Sequence, residues 1–159
     1  MEVKKILLLG SSKNYKDGWN TMSFGLFNEL KIKGYDVFYM EGQNPKRNYS
    51  LFTFNLYSHI RFKVVEILID TMRLVMMKIK LRPDIILIVP EPFALPCFLS
   101  GFISKKVPYY IYTAGTYAML MLNKRGFISR QAMNKANLIF PMSEYTKKRY
   151  IDSGFKKDL

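Results

Sequence analysis

Five apolar runs, each four to six residues long and each followed by a stretch with helical periodicity, constrain this chain more than any other feature. They are Lys5–Leu9 (KILLL), Tyr35–Met40 (YDVFYM), Ile85–Val89 (IILIV), Tyr109–Tyr112 (YYIY) and Leu138–Pro141 (LIFP). A strand with one wet face alternates apolar and polar residues. An unbroken apolar run belongs to a strand covered on both faces, which is the habit of parallel sheets.

The stretches between the runs read as helices. Asn20–Lys33 sets Met22, Leu26, Phe27 and Leu30 on one face, with Gly34 as its stop. Leu56–Lys80 carries Ile60, Val64, Ile67, Leu68, Leu74 and Val75 along one stripe. Pro92–Lys105 opens on a proline suited to a first turn. Asn123–Lys135 is interrupted by Gly126, and Ser143 caps a last helix, Glu144–Ser153, that Gly154 ends. Gly42–Asn55 has no clear pattern and reads as a loop. Alternating strands and helices predict an α/β fold: a Rossmann-like three-layer sandwich with a parallel sheet of about five strands and helices on both faces. With 159 residues, positions 1–159 make one domain.

Composition narrows the partners. A formal charge of +13 calls for an acidic one, whether nucleic acid, anionic lipid or a phosphorylated substrate. The basic residues are spaced rather than clustered and no nucleic-acid-binding motif is present, so nucleic acid is not the expected partner. The single cysteine, Cys97, excludes an internal disulfide and a cysteine-built metal site; among Leu95, Pro96, Phe98 and Leu99 it reads as a buried thiol. No metal site is expected. The amino terminus runs straight into a strand without a signal-peptide pattern. The most apolar window, Ile85–Ile103, holds Glu91 and three prolines and makes a poor membrane span.

Ligands of open parallel sheets bind beyond the carboxyl ends of the strands. The first such loop, Gly10–Trp19 (GSSKNYKDGW), lacks both the G-x-G-x-x-G turn and the P-loop pattern, although it leads into a helix whose amides can meet an anion. Glu41 stands where a dinucleotide fold keeps its ribose-binding acid, but without the glycines. His59, the only histidine, sits in a helical stretch and reads as packing or solvent-facing. Glu91, at the end of the third run, can point into the crevice and bind sugar hydroxyls, or can compensate the charge of a helix amino terminus. No catalytic residue is assigned.

Several segments are familiar in their order. Lys5–Gly10 followed by Asp17-Gly18-Trp19, then Leu30-Lys31-Ile32-Lys33-Gly34-Tyr35-Asp36-Val37, resembles the opening of the retaining GT-B-type glycosyltransferases of family four. Arg82-Pro83-Asp84 matches the family's segment before its third strand, and Val107-Pro108-Tyr109 the approach to its acceptor loop. Ala136–Lys147 (ANLIFPMSEYTK) is similar to its most specific amino-domain segment.

The resemblance implies the amino-terminal, acceptor-side half of a two-domain enzyme. Such an enzyme moves a sugar from a nucleotide-sugar donor to a saccharide or lipid-linked acceptor. The donor is held mainly by a carboxyl-terminal domain or partner chain, so this half is expected to be inactive alone and to bind no cofactor tightly. By matching position, Gly18 and Trp19 would line the cleft and Ser143 and Glu144 its far wall, while Thr113, Thr116 and the backbone at Gly115 could offer hydrogen bonds. The loop Thr113–Tyr117 has no histidine where the family often has one.

A cytoplasmic location is expected, at the inner face of the membrane if the acceptor is lipid-linked. Lys124, Arg125, Phe127 and Arg130 read as an anionic-membrane surface. On the basic 61–82 helix, Ile69, Met72, Met76 and Met77 lie outside the main stripe; they suit either an anionic-lipid surface or packing in the core or against a second domain, the latter being favoured. Two other classes stay open: a stand-alone nucleotide- or flavin-binding module, and a non-enzymatic subunit that anchors a catalytic partner to membrane.

Overall fold

Strands β1 (Lys5–Gly10), β2 (Asp36–Glu41), β3 (Ile85–Ile88), β4 (Tyr109–Thr113) and β5 (Leu138–Pro141) pair in parallel, in the order β2–β1–β3–β4–β5. The computed structural model describes residues 4–10, 18–41, 56–89, 91–113 and 127–155, apart from the side chains of 56–64 and 66. Its helices are α1 (Gly18–Ile32), α2 (Leu56–Leu81), α3 (Ala94–Ile103), α4 (Phe127–Asn134) and α5 (Glu144–Asp152). The chain has a Rossmann-like α/β fold. The expected helix from Pro92 begins instead as a 3-10 turn, Glu91–Phe93, that leads into α3.

Strand β1 is central, flanked by β2 in the register Lys5↔Asp36 to Gly10↔Glu41 and by β3 in the register Ile6↔Ile85 to Leu9↔Ile88. Its side chains are buried on both faces, which is why its sequence shows no alternation. Helix α1 lays Trp19, Met22, Leu26, Phe27 and Leu30 against Ile6, Leu8, Val37 and Val89. On the opposite face Leu7, Leu9, Ile86, Ile88 and Ile111 meet Leu74 of α2, Cys97 of α3, Met133 of α4 and Tyr150 of α5. The outer sides of β4 and β5 stay half-open, with Tyr110 stacked on Phe140 at 6.4 Å between ring centroids.

Element ends follow local chemistry. Helix α1 closes on Gly34 at φ +85°, with Gly34 N–H bonded to Lys31 O and Tyr35 N–H to Leu30 O. Helix α2 ends on Arg82 at φ +49° ahead of Pro83, and the Asp84 carboxylate accepts from the amides of Lys4 and Lys5 at 2.9 Å each. Those two bonds lower the Asp84 pKa and pin the start of β1 to that of β3. Ser143 caps α5 by accepting from Thr146 N–H at 3.1 Å, as expected.

Two placements along α2 depart from the periodic reading. Leu68, expected on the packed stripe, is 54% exposed. Thirteen helical residues span the ~20 Å length of a six-residue strand, so the amino-terminal half of this ~39 Å helix extends past the carboxyl edge of the sheet. Lys78, in contrast, is buried against α3, where its Nζ bonds to Ser100 O at 3.3 Å and Ser100 Oγ at 3.2 Å.

Burial lowers the Lys78 pKa, with the neighbouring Cys97 acting in the opposite sense. The folded state thus disfavours the ammonium, and stability rises with pH from the lowered value up through 10.5. Without Lys78, Ser100 would keep its bonds to Cys97 O (2.7 Å) and from Ser104 Oγ (3.0 Å). Lys78→Met is therefore expected to stabilise the chain at neutral pH by about 1 kcal/mol. Thermal denaturation followed by circular dichroism checks this; a lower melting temperature would refute it.

No helix among the described residues is long and apolar enough to cross a membrane.

Candidate functional site at the carboxyl edge of the sheet

Strand order reverses between β1 and β3: the β1–α1–β2 unit winds one way and the remaining units the other. The two helical layers diverge at such a point and leave a crevice beyond the strand ends. At the switch point Gly10, Ser23 and Val89 are buried against one another. Ser23 is fully buried on the first turns of α1, donates to Trp19 O at 2.7 Å and lies 3.4 Å from Val89 O. This contact ties α1 to the end of β3.

Gly10 closes β1 beneath the ring of Tyr39. A Cβ at Gly10 would stand 2.5 Å from Tyr39 Cζ and 2.9 Å from Ser23 Cβ. Burial pushes the Tyr39 phenol up to about 12; a hydrogen bond with Ser23 pulls it down and the Glu41 carboxylate adds to the rise. The small residue is thus required by protein packing, whereas in dinucleotide sites such a glycine serves phosphate approach.

The expected site residues divide into distinct groups. Gly18 and Trp19 form the first turn of α1, whose amides point toward the carboxyl edge; Trp19 is half-buried against the α1 core. Glu91 is fully buried and turned into the protein. Its Oε1 accepts from Thr113 Oγ1, which lies 2.8 Å from the Tyr150 hydroxyl, and that hydroxyl is 3.3 Å from the same carboxylate oxygen. Burial, reinforced by the Glu91 carboxyl, holds the Tyr150 phenol well above its ordinary value, so it stays protonated. Thr113 and Glu91 therefore come together, and their mutual bond clamps the ends of β3, β4 and α5. Ser143 and Glu144 open α5 at the exposed end of β5, with Ser143 Oγ occupied by its cap and by Thr146 Oγ1 at 3.0 Å. Gly115 and Thr116 lie outside the described residues.

Of the expected membrane residues, Phe127 is 69% exposed, whereas Arg130 is engaged within the protein. The Arg130 guanidinium donates to Ser153 O at 2.6 Å and to Gly154 O at 3.3 Å, and stands 5.6 Å from the Phe155 ring. It caps the carbonyl end of α5. Lys124 and Arg125 lie outside the described residues, as does the side chain of His59.

A groove of about 500 Å³ runs between the end of β2 and α2, lined by Tyr39, Met40, Glu41, Arg73, Met76 and Met77. It flanks the switch point on the α2 side. No cluster of three His, Cys, Asp or Glu side chains suited to a metal exists among the described residues. Sequence reasoning missed Ser23, Tyr39 and Tyr150. Ser23 carried a signal, a hydroxyl within the apolar face of α1; Tyr150 carried none, because its partners lie 37 and 59 residues away.

Fold and topology together define a Rossmann-like α/β protein with a switch point between β1 and β3. No protein-family model matches the chain, and no curated protein compared with it matches either.

Proposed function

We propose that this chain is the acceptor-side half of a two-domain glycosyltransferase of the GT-B type. It holds a saccharide or lipid-linked acceptor at the carboxyl edge of its sheet, and a donor domain or partner chain presents the nucleotide-sugar. The observation that supports this reading is the ordered set of family-like segments, several of which fall at the joins between elements. Gly34 stops α1, Arg82-Pro83-Asp84 joins α2 to β3, and Ser143-Glu144 starts α5. Among the described residues this edge suits binding rather than chemistry: the first-turn amides of α1 face it, and the carboxyl of Glu91 is locked beneath by Thr113 and Tyr150. Sugar hydroxyls are neutral, and backbone amides together with Gly18 and Trp19 suit their recognition.

Saccharide binding by the purified chain tests this reading. Saturation-transfer NMR against a saccharide panel is expected to show contacts with Kd values around 1 mM, about −4 kcal/mol. Mixing with nucleotide-sugars is expected to release no nucleoside diphosphate. A yellow preparation with flavin absorbance, or tight nucleotide binding without saccharide contacts, would replace this reading by that of a stand-alone binding module.

A further inference from the structure

We propose that the outer face of α2 is a docking surface for an anionic lipid bilayer. The proposal does not depend on the glycosyltransferase reading. Val65, Leu68, Ile69, Met72, Met76 and Ile79 recur at three- and four-residue intervals and are 42–66% exposed. At 100° per residue they fall within one stripe about 100° wide. Leu74, Val75 and Lys78, on the other side of the helix, are buried. The stripe is thus a second apolar face in addition to the one the core uses. Six half-exposed large side chains present on the order of 600 Å² of apolar surface, the upper end of what soluble monomers leave uncovered.

Charge selects the occupant. None of the six positions is charged, and one edge and the carboxyl-terminal end of the stripe carry cations. Arg73 and Lys80 flank it on α2, Arg82 follows at its end, and Lys105 and Lys106 follow α3. Helix α3 is level with this end of α2 because Lys78, beside Ile79, bonds to Ser100. Its own last residues, Phe102 and Ile103, are 72% and 58% exposed. Among the described carboxylates nearby, Asp70 is buried and pairs with Arg73 at 3.3 Å, Asp84 holds the Lys4 and Lys5 amides, and Glu41 shares the groove with Arg73 and Met76, so the excess of charge at this face comes from Lys80, Arg82, Lys105 and Lys106. A second copy docked on this face would set one +13 chain against another and oppose like charges along the rim. Anionic headgroups neutralise that rim while the stripe enters the boundary between headgroups and acyl chains. The ~39 Å length of α2 lets it lie flat along such a surface. The exposure of Ile69, Met72 and Met76 overturns core packing for them and leaves the expectation of a second domain on this face untouched.

Vesicle co-sedimentation of the purified chain tests the proposal. Binding to mixed phosphatidylglycerol–phosphatidylcholine vesicles is expected at low salt, weakening as salt shortens the range of the charge attraction. Pure phosphatidylcholine should bind far less. The double substitution Met72→Asp/Met76→Asp is expected to weaken binding about tenfold or more, since it puts charge at the centre of the inserted face. Its melting temperature should stay near that of the parent because both side chains are more than half exposed. If that variant fails to fold, Met72→Gln/Ile79→Gln takes its place. A Met76→Trp chain should also show a blue-shifted emission component on anionic vesicles that the parent, with Trp19 alone, does not. Absence of binding by the folded parent, equal binding by parent and stripe variant, or equal binding to neutral vesicles would overturn the proposal. So would a dimer in sedimentation velocity that the stripe substitutions dissolve, which would assign the face to a second copy.

Discussion

Thr113→Val is expected to lower the unfolding free energy by about 3 kcal/mol and the melting temperature by about 6–12 °C. The substitution keeps the shape of the side chain, so it opens no cavity. It removes the hydroxyl that donates to Glu91 Oε1 and faces the Tyr150 hydroxyl at 2.8 Å, at a place where all three side chains are fully buried. Buried polar groups deprived of a partner cost more than the bond they made. Thr113→Ser, which restores the hydroxyl, should recover most of the loss. A melting temperature for Thr113→Val equal to that of the parent would show that the clamp contributes nothing.

The same cluster sets a pH dependence. Its phenol has a folded pKa above the ordinary 10.0, so the folded state retains a proton that the unfolded chain releases. The stabilisation is fully present below pH 10 and is lost as pH climbs beyond it. Tyr39, Tyr109 and Cys97 are likewise raised by burial and act in the same direction. Tyr150→Phe should therefore make the alkaline loss of stability shallower without abolishing it, which denaturation curves at neutral pH and above pH 10 would show.

Gly10→Ala is expected to cost about 3 kcal/mol, at the upper end of what one inserted methyl does to a packed core. The new Cβ would overlap Tyr39 Oη and press on Ser23 Cβ. Moving Tyr39 aside would break its packing, since its ring stacks on Phe24 at 4.8 Å and meets the edge of Phe27 at 5.6 Å. In a Tyr39→Leu background the added cost of Gly10→Ala should fall by at least about 1 kcal/mol, the mark of two sites in contact. A glycine kept for ligand approach behaves differently: its alanine variant melts like the parent and loses only binding. Melting curves of the four chains of this cycle separate the two roles.

Much of the architecture is legible in the chain itself. Runs such as Lys5–Leu9 and Ile85–Val89 announce strands covered on both faces, and both became inner strands. Gly34 and Gly154, at φ +85° and +77°, stop α1 and α5 because the left-handed turn there needs a residue without a Cβ; Ser143 starts α5 because its hydroxyl can reach an amide three residues on. These are local events, governed by neighbours within a few residues. The last two runs were less transparent: Tyr112 and Phe140 also lie in apolar stretches, yet they are 37% and 43% exposed, because no described helix covers that side of β4 and β5.

The candidate site was less legible for the same physical reason. Glu91 looked like a carboxylate facing a crevice, and the residues that turn it inward, Thr113 and Tyr150, lie 22 and 59 positions away. The uses of Gly10 by Tyr39, of Ser23 by Val89 and of Lys78 by Ser100 likewise join distant elements. So does the outward stripe of α2, which exists because the helix is apolar on more faces than the sheet and α3 can bury. Periodicity and turn chemistry along the chain determined the elements, their ends and the α/β class. Which apolar face meets the core, and which polar group is sealed beneath it, was decided only by tertiary structure, because those contacts exist only once the parallel crossovers bring remote segments together.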